Sequence, residues 1–418
     1  MGKSICILGR QPALSLAELE SLYGGEHIKP LPGAALLDID SAEINFKRLG
    51  GTLKVAKLLT ILDTDKWPEA LDYLIKTIPQ HLKYLPEGSF TLGLSLYNFN
   101  VPVKSINRNL LEIKKVIKAA GRGVRVVPNK KPELNAAQVL HNKLTRKGAW
   151  ELLAIRGGGK TYLAQTMFVQ DIDAYAARDQ TRPKRDARVG MLPPKLAQII
   201  INLATGKLES PVTSNQSLVK QLETGDLGLA TAKSKILLDP FCGTGVILQE
   251  ALLMGYNVIG GDIDPKMVEY TKTNLEWLIP RFQMPDARFQ VIQADVAAAK
   301  WPDFDTVASE TYLGRPLQTI PPPDEFHKIV NDVNTIIKKF LQNLAPQLKN
   351  GTRICLAVPA WRISKNDFKH LPLIDDLTDV GYNQLDFVHV NKRDLIYFRE
   401  GQIVARELLV LEKVESEE

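Results

Sequence analysis

The second half of the chain alternates short apolar runs with amphipathic stretches, which predicts strands and helices in turn. The runs expected to form strands are residues 236–238, 258–259, 289–293, 306–308 and 354–358. The stretches expected to form helices are residues 246–254, 265–278 and 325–348. This order favours an α/β fold with a mostly parallel, doubly wound sheet. Closing antiparallel strands are expected at residues 385–390, 394–398 and 403–411.

The first half predicts two smaller α+β patterns. The elements expected in residues 1–60 are a strand at 5–8, a helix at 15–23, a strand at 34–39 and a helix near Ile44. Those expected after residue 66 are a strand at 90–96, a helix after Ser105 and a hairpin at 150–169. Three glycines join the hairpin strands. We favour a turn there over a phosphate-binding loop, because a hairpin needs no ligand.

Length and composition favour a multidomain enzyme. A chain of 418 residues exceeds one ordinary core, and its 44% hydrophobic and 24% charged residues are typical of globular proteins. The three cysteines form no Cys-x-x-Cys pair, so we expect no disulfide framework, no zinc site and a reducing cytosol. No apolar run approaches the roughly 18 residues of a membrane span, and we expect neither export nor membrane anchoring.

Positive charge is concentrated in two segments of a chain whose net charge is +6. Residues 101–131 hold nine Lys or Arg against one acid, Glu112, and a second cluster spans residues 178–188. Charge runs are usually solvated surface, but the helix and the strand after it together favour a nucleic-acid partner. The RNA-binding candidates are Lys104, Arg108, Lys115, Lys118, Arg125, Lys130, Lys131, Arg182 and Arg185.

A glycine-containing loop follows the first strand of the α/β pattern. Residues 239–245 read DPFCGTG, and a strand, a loop and a helix in that order open a nucleotide-binding domain. Gly243 and Gly245 allow a sharp turn and close approach of a ligand. Leu248 stands where the dinucleotide-binding fingerprint has its third glycine, which disfavours a dehydrogenase.

Acidic residues stand at three successive strand ends and predict an adenosyl ligand. Asp262 can accept hydrogen bonds from both ribose hydroxyls, and Asp295 can accept one from an adenine amino group. Any single acid could instead cap a helix, as we expect for Asp264 before Pro265. The cofactor-binding candidates are Asp239, Phe241, Gly243, Gly245, Asp262, Ile263 and Asp295.

These motifs resemble those of the THUMP-domain tRNA guanosine 2-amino methyltransferases of archaea and eukaryotes. Residues 239–245 and the segment GDIDPKM at 261–267 are similar to the two cofactor motifs of that family. Residues 7–20, the junction at 178–197 and the closing residues 399–407 extend the resemblance over nearly the whole chain.

The resemblance implies a Rossmann-like class I methyltransferase domain that binds S-adenosyl-L-methionine, preceded by ferredoxin-like and THUMP domains. The expected boundaries are a ferredoxin-like unit at 1–60, a THUMP-like domain at 61–170, a linker at 171–192 and the methyltransferase domain at 193–414. The THUMP-like domain would grip the tRNA acceptor end through salt-dependent phosphate contacts. A small zinc-binding activating subunit, as in eukaryotic relatives, is a further partner that the resemblance suggests.

The sequence departs from this family after the fourth strand, where the family has Asp-Pro-Pro-Tyr. Here the residues are SETYLG at 309–314, so both prolines are absent. One alignment makes Ser309 the acceptor of the amine hydrogens, and another makes it Glu310. Tyr312 would stack on the flipped base in either alignment. Loss of the prolines permits other backbone conformations, which leaves activity open.

The sequence therefore predicts a cytoplasmic methyltransferase that acts on tRNA, most readily on the 2-amino group of guanine. Its candidate catalytic residues are Ser309, Glu310 and Tyr312, and no metal is expected. The alternative is an RNA-binding protein that keeps the cofactor pocket without catalysis. A DNA adenine or cytosine amino methyltransferase is disfavoured by the resemblance of the N-terminal half.

Overall fold

The computed structural model of the protein describes residues 2–88, 90–186, 191–207, 234–365 and 367–415. These residues belong to two compact units. The first comprises Met1–Pro12, Glu26–Lys47 and Thr52–Tyr175, and the second comprises Ala13–Gly25, Arg48–Gly51 and Ala176–Glu418. Most of the loop predicted at 205–234, and the end of the second basic cluster at 187–188, lie outside the described residues.

The first unit is built on one sheet of eight strands. They are β1 (Ser4–Leu8), β2 (Ile28–Leu31), β3 (Ala34–Leu37), β4 (Thr52–Leu62), β5 (Phe90–Tyr97), β6 (Val124–Val126), β7 (Ala149–Gly157) and β8 (Lys160–Val169). Their order across the sheet is β2-β3-β1-β4-β8-β7-β5-β6. The predicted hairpin is present as the antiparallel pair β7 and β8.

Strand β4 joins the two halves of this sheet. It pairs with β1 on one side and with β8 on the other. The domain boundary predicted at residue 60 falls inside this strand, so one sheet continues across it. The sequence pattern missed β4, because its lysines interrupt the apolar positions. The helix predicted near Ile44 is also absent, and a short 3-10 turn, Phe46–Arg48, lies beyond it.

Helices pack on both faces of the first sheet. On one face lie α2 (Trp67–His81) and α3 (Val103–Ala119), and the short α4 (Ala136–His141) lies on the other. Helix α3 buries Ile106, Leu110, Ile113 and Ile117, as its three- and four-residue spacing predicts. Packing against the sheet therefore leaves the basic positions of α3 toward solvent.

The second unit contains the predicted parallel sheet. Its strands are β9 (Ile236–Asp239), β10 (Asn257–Asp262), β11 (Phe289–Gln293), β12 (Thr306–Glu310), β13 (Arg353–Arg362), β14 (Phe368–Lys369), β15 (Tyr382–Gln384), β16 (Ile396–Tyr397) and β17 (Val404–Lys413). The main order is β11-β10-β9-β12-β13-β17-β15, with β14 beside β13 and β16 beside β17. The first five strands of this order are parallel and β17 is antiparallel, which confirms the predicted fold class.

Helices pack on both faces of this sheet, as a doubly wound domain requires. The helices that pack there are α6 (Pro194–Thr205), α7 (Val246–Leu253), α8 (Pro265–Arg281) and α9 (Pro323–Leu344), whereas α5 (Ile172–Gln180) begins at the end of the first unit and ends in the second. Apolar side chains of α6, α7 and α8 form the core on one face, and those of α9 form it on the other. Helix α1 (Pro12–Tyr23) contributes Leu14 and Ala17 to the first of these cores.

The strand order reverses at β9, whose neighbours are β10 and β12. Chain connections leave opposite sides of the sheet at such a point, so a crevice opens at the carboxyl ends of the strands. None of the helices in the described part of the chain is long and apolar enough to cross a membrane.

Candidate active site

The loop after β9 is fixed by backbone conformation and by α8. Gly243 and Gly245 have φ of 51° and 84°, in the left-handed region that favours glycine. The Thr271 hydroxyl on α8 donates to the carbonyl of Gly243 at 2.7 Å. A Cβ on Gly245 would lie 3.0 Å from Thr271 Cγ2. Both glycines are therefore needed for this turn, as the motif predicts.

Asp262, at the end of β10, holds the same loop. Its Oδ2 accepts from the Gly243 amide at 2.9 Å, and its Oδ1 accepts from the Asp264 amide at 3.0 Å. Burial raises the pKa of Asp262. Each carboxylate oxygen has a second lone pair, so acceptor capacity remains for a ligand hydroxyl. Asp264 caps α8 through the Lys266 amide, as its sequence context predicts.

Ile263 and Asp295 extend the site along the ends of β10 and β11. Ile263 follows Asp262 directly and is 66% exposed. Asp295 is exposed, and its Oδ1 accepts from the Ala297 amide at 2.9 Å. The amide of Ala294 donates to the Asp262 carbonyl at 3.0 Å, which keeps the two strand ends together. The structure thus brings all three sequence-predicted acids to one edge of the sheet.

Asp239 and Ser309 meet where β9 and β12 end. Both are buried, and the Ser309 hydroxyl donates to Asp239 Oδ1 at 2.6 Å. Burial raises the pKa of Asp239 to about 8, the hydrogen bond from Ser309 opposes this shift, and the charges of Asp262 and Glu310 add to it. Ser309 has no exposed surface, so its side chain supports Asp239 rather than facing a substrate.

Glu310 ends β12 and keeps access to solvent. Its side chain is 15% exposed and forms an ion pair with Arg406 on β17. The next residue, Thr311, donates from its amide and its hydroxyl to the Ala357 carbonyl, at 3.0 and 3.2 Å. Tyr312 is 47% exposed. Glu310 and Tyr312 are therefore the two catalytic candidates with accessible side chains.

Phe241 and Trp301 pack beneath this edge of the sheet. The Phe241 ring meets Phe340 of α9 edge-on, with 5.1 Å between ring centroids. Trp301 lies against Gly261, where an added Cβ would be 2.3 Å from Trp301 Cη2. Trp301 and Arg406 were not among the residues predicted from the sequence. Two signals were available in the sequence. They are the consecutive glycines at 260–261, and the charged residues Arg406 and Glu407 inside an otherwise apolar strand.

The basic candidates of the first unit are all on its surface. The exposed residues are Lys104, Arg108, Lys115, Lys118, Arg125, Lys130 and Lys131. Arg125 donates to the side chain of Asn142 at 3.0 Å. This placement is the one that phosphate contacts require.

The two basic candidates of the second unit differ from each other. Arg185 is exposed, but Arg182 is only 3% exposed, and its Nη2 lies 3.9 Å from Asp179. Burial lowers the pKa of Arg182. The prediction of Arg182 as a phosphate contact is corrected, because packing against the domain covers its guanidinium.

Comparisons with known proteins agree with this geometry. Residues 238–316 match a family model described as a methyltransferase domain, and residues 190–273 match one described as a DNA methylase. The second unit carries a methyltransferase domain. The match confirms the predicted class of the domain and, with it, S-adenosyl-L-methionine as the cofactor. Across the described ranges, no cluster of three or more His, Cys, Asp or Glu side chains could hold a metal ion.

The chain is also similar to curated proteins. A tRNA (guanine(10)-N2)-dimethyltransferase from Methanothermobacter thermautotrophicus is 31% identical over 173 residues, which are 41% of this chain and 40% of that protein. An enzyme of the same name from Methanocaldococcus jannaschii is 32% identical over 119 residues, 27% of each chain. The chain thus matches less than half the length of these relatives. The predicted resemblance to tRNA guanine 2-amino methyltransferases is confirmed.

Among solved structures, TrmN from Thermus thermophilus aligns over 99% of this chain and 100% of its own. The two share 17% sequence identity, and the TM-score is 0.49.

Proposed function

We propose that this protein transfers a methyl group from S-adenosyl-L-methionine to the exocyclic 2-amino group of a guanosine in tRNA. The observation that carries the proposal is the juxtaposition of a glycine-loop cofactor site with an accessible carboxylate, Glu310, at the reversal of strand order. The matching relatives are named for methylation of a guanine amino group in tRNA.

The residues at the strand ends fit the cofactor. Asp262 would accept from the ribose hydroxyls, Asp295 would accept from the adenine amino group, and Ile263 offers exposed apolar surface between them. Phe241, Gly243 and Gly245 shape the loop, and Asp239 lies beneath it. When bound, the cofactor supplies a methyl group on a positively charged sulfur. Such a methyl group is readily transferred to an attacking lone pair.

Glu310 and Tyr312 would act on the guanine. The amino lone pair of a purine is delocalised into the ring, so an acceptor for its hydrogens favours the geometry in which it can attack. Glu310 would accept one amine hydrogen and take up the proton that is released when the new N–C bond forms. The half-exposed Tyr312 ring would stack on the base outside the RNA helix.

The first unit would bind the RNA backbone. Its exposed lysines and arginines on α3, β6 and residues 130–131 supply affinity that depends on salt and little on sequence. Arg185 adds an exposed charge in the second unit. We also propose a cytoplasmic location, because the three cysteines are free and buried, as a reducing compartment permits.

A DNA amino group is the second candidate acceptor, since residues 190–273 match the DNA methylase model. The test is methyl transfer from labelled S-adenosylmethionine by the purified full chain to unmodified tRNA transcripts and, separately, to duplex DNA. We expect label in tRNA alone, and a large loss of transfer in Asp262→Ala through weakened cofactor binding. Label in DNA alone would favour the second candidate. Binding of cofactor and tRNA without transfer would favour an RNA-binding protein that lacks catalysis.

A further inference from the structure

The ion pair between Glu310 and Arg406 spans two strand spacings of the sheet. Glu310 on β12 stands opposite Ala357 on β13, and Arg406 on β17 stands opposite Pro359 on β13. Neighbouring strands lie about 4.8 Å apart, so the two backbones are separated by roughly 10 Å. Both partners are long side chains, and the strand between them places the small Ala357 beside Glu310.

Reach across β13 explains why this position holds glutamate. An aspartate here would be shorter by one methylene, about 1.5 Å, and would fall short of a guanidinium two strands away. The guanidinium is planar and rigid, so its contact fixes the direction of the carboxylate. Arg406 is therefore within reach of a glutamate at position 310 and out of reach of an aspartate.

Both partners of this ion pair are largely buried. The side chain of Arg406 is 8% exposed and that of Glu310 is 15% exposed. A rigid guanidinium in such a place restricts the orientations that the partner carboxylate can adopt. The remaining exposure of Glu310 leaves acceptor capacity toward the crevice.

The following residue is held by hydrogen bonds of a kind that proline could not form. The Thr311 amide and hydroxyl both donate to the Ala357 carbonyl, and a proline has no amide hydrogen to give. β13 and β17 together therefore fix the end of β12, without backbone rigidity from proline.

We propose that Arg406 is the positioning residue for Glu310, orienting its carboxylate toward the acceptor amine. This inference rests on the proposed function. Arg406 itself does not touch the substrate. Its effect belongs to the methyl-transfer step, and not to the affinity for cofactor or RNA.

The test compares Arg406→Lys, Arg406→Met and Glu310→Asp with wild type in the full chain, with the exposed Arg399→Lys as the matched control. We expect kcat to fall roughly hundredfold in all three, about what a displacement of 1 Å costs a reacting group. The KM for S-adenosylmethionine should stay within about twofold.

The double variant Arg406→Met with Glu310→Gln guards against a folding defect, since it leaves no buried charge unpaired. It should regain the melting temperature lost in Arg406→Met while transfer stays low. Wild-type kcat in a folded Arg406→Met, with active wild type, would overturn the inference alone. A wild-type chain that binds the cofactor but transfers no methyl would overturn the proposed function and this inference together.

Discussion

Glu310 and Ser309 are neighbours in sequence, but their side chains face different surroundings. Two alignments of residues 309–312 with the family tetrapeptide were open from the sequence, because strand ends can be matched one residue apart. The structure distinguishes the two residues by burial. Ser309 is fully buried on Asp239, whereas Glu310 reaches solvent. We therefore propose Glu310 as the acceptor.

The substitution Glu310→Gln should lower the rate of methyl transfer roughly a hundredfold or more, because a neutral amide cannot take up the amine proton. Cofactor affinity should be retained, as measured by equilibrium binding. Ser309→Ala is the matched control. It removes the hydroxyl donor of the buried Asp239, which keeps the Phe241 amide at 3.3 Å, and should cost about 1–3 kcal/mol of stability while transfer persists in the folded protein. Full activity in Glu310→Gln with loss in Ser309→Ala would reverse the assignment.

The positions of the cofactor-binding candidates were predictable, and the partner of the catalytic candidate Glu310 was not. A strand, a glycine loop and acids at successive strand ends are local patterns, and they meet because parallel strands end at the same edge. Arg406 follows Glu310 by 96 residues. Its place depends on the order of β12, β13 and β17, which the residues near Glu310 do not encode. The prediction for Arg182 failed for a related reason. Its charge can be read directly from the sequence, but its burial is set by packing.

Strand β10 is the element in which close packing leaves least room. Gly260 and Gly261 precede Asp262, and a Cβ at these positions would lie 2.5 Å from Leu248 Cδ1 and 2.3 Å from Trp301 Cη2. The end of an indole ring is rigid, so β10 or Trp301 would have to move. The position of Asp262 therefore depends on the absence of side chains before it.

Gly261→Ala should destabilise the domain by about 1–3 kcal/mol and weaken cofactor binding, because overpacking displaces β10. Urea unfolding and equilibrium binding measure the two effects. The control is the double variant Gly261→Ala with Trp301→Leu, which removes the ring that the new methyl group meets. It should recover part of the cofactor affinity lost in the single variant. Wild-type stability and affinity in Gly261→Ala would contradict the packing described here.

The alternation of the second half predicted its elements well because buried parallel strands are continuous apolar runs. The elements of the first half were harder to predict. Strand β4 carries lysines between its apolar positions, and the expected helix near Ile44 is replaced by a 3-10 turn. In both places tertiary pairing outweighs local preference.

The second unit recruits two segments from the beginning of the chain. Glu18 of α1 accepts from the amides of Gly50 and Gly51, at 2.9 and 2.8 Å, and from Asn202 of α6 at 2.7 Å. Arg48 Nε donates to the side-chain Oδ1 of Asn202 at 2.7 Å. Domain limits drawn in chain order could not include this network, because residues 13–25 and 48–51 join the unit only through folding.

This network predicts a pH-dependent stability. Burial raises the pKa of Glu18 to about 7, although the amides of Gly50 and Gly51 and the Asn202 side chain oppose the shift. Between about pH 4.5 and pH 7, Glu18 is therefore protonated in the folded state and ionised in the unfolded chain, where its pKa is near 4.5. The stabilisation is full below pH 4.5 and is lost as pH rises through about 7.

Urea unfolding of wild type and Glu18→Gln at pH 5 and pH 8 measures this contribution. The unfolding free energy of wild type should fall between the two pH values by about 2–3 kcal/mol more than that of Glu18→Gln. Asp239 titrates similarly in both proteins and cancels in the comparison. An equal pH dependence in the two proteins would show that Glu18 does not hold the proton.

The central claim is methylation of a guanine amino group in tRNA, and nucleoside analysis of the product tests it most directly. An unmodified tRNA transcript is incubated with the full chain and S-adenosylmethionine, digested to nucleosides and examined by mass spectrometry. The account predicts N2-methylated guanosine, absent from the Glu310→Gln reaction. Methyl groups found on adenine or cytosine instead, or no methylated nucleoside from a chain that binds both cofactor and tRNA, would contradict it.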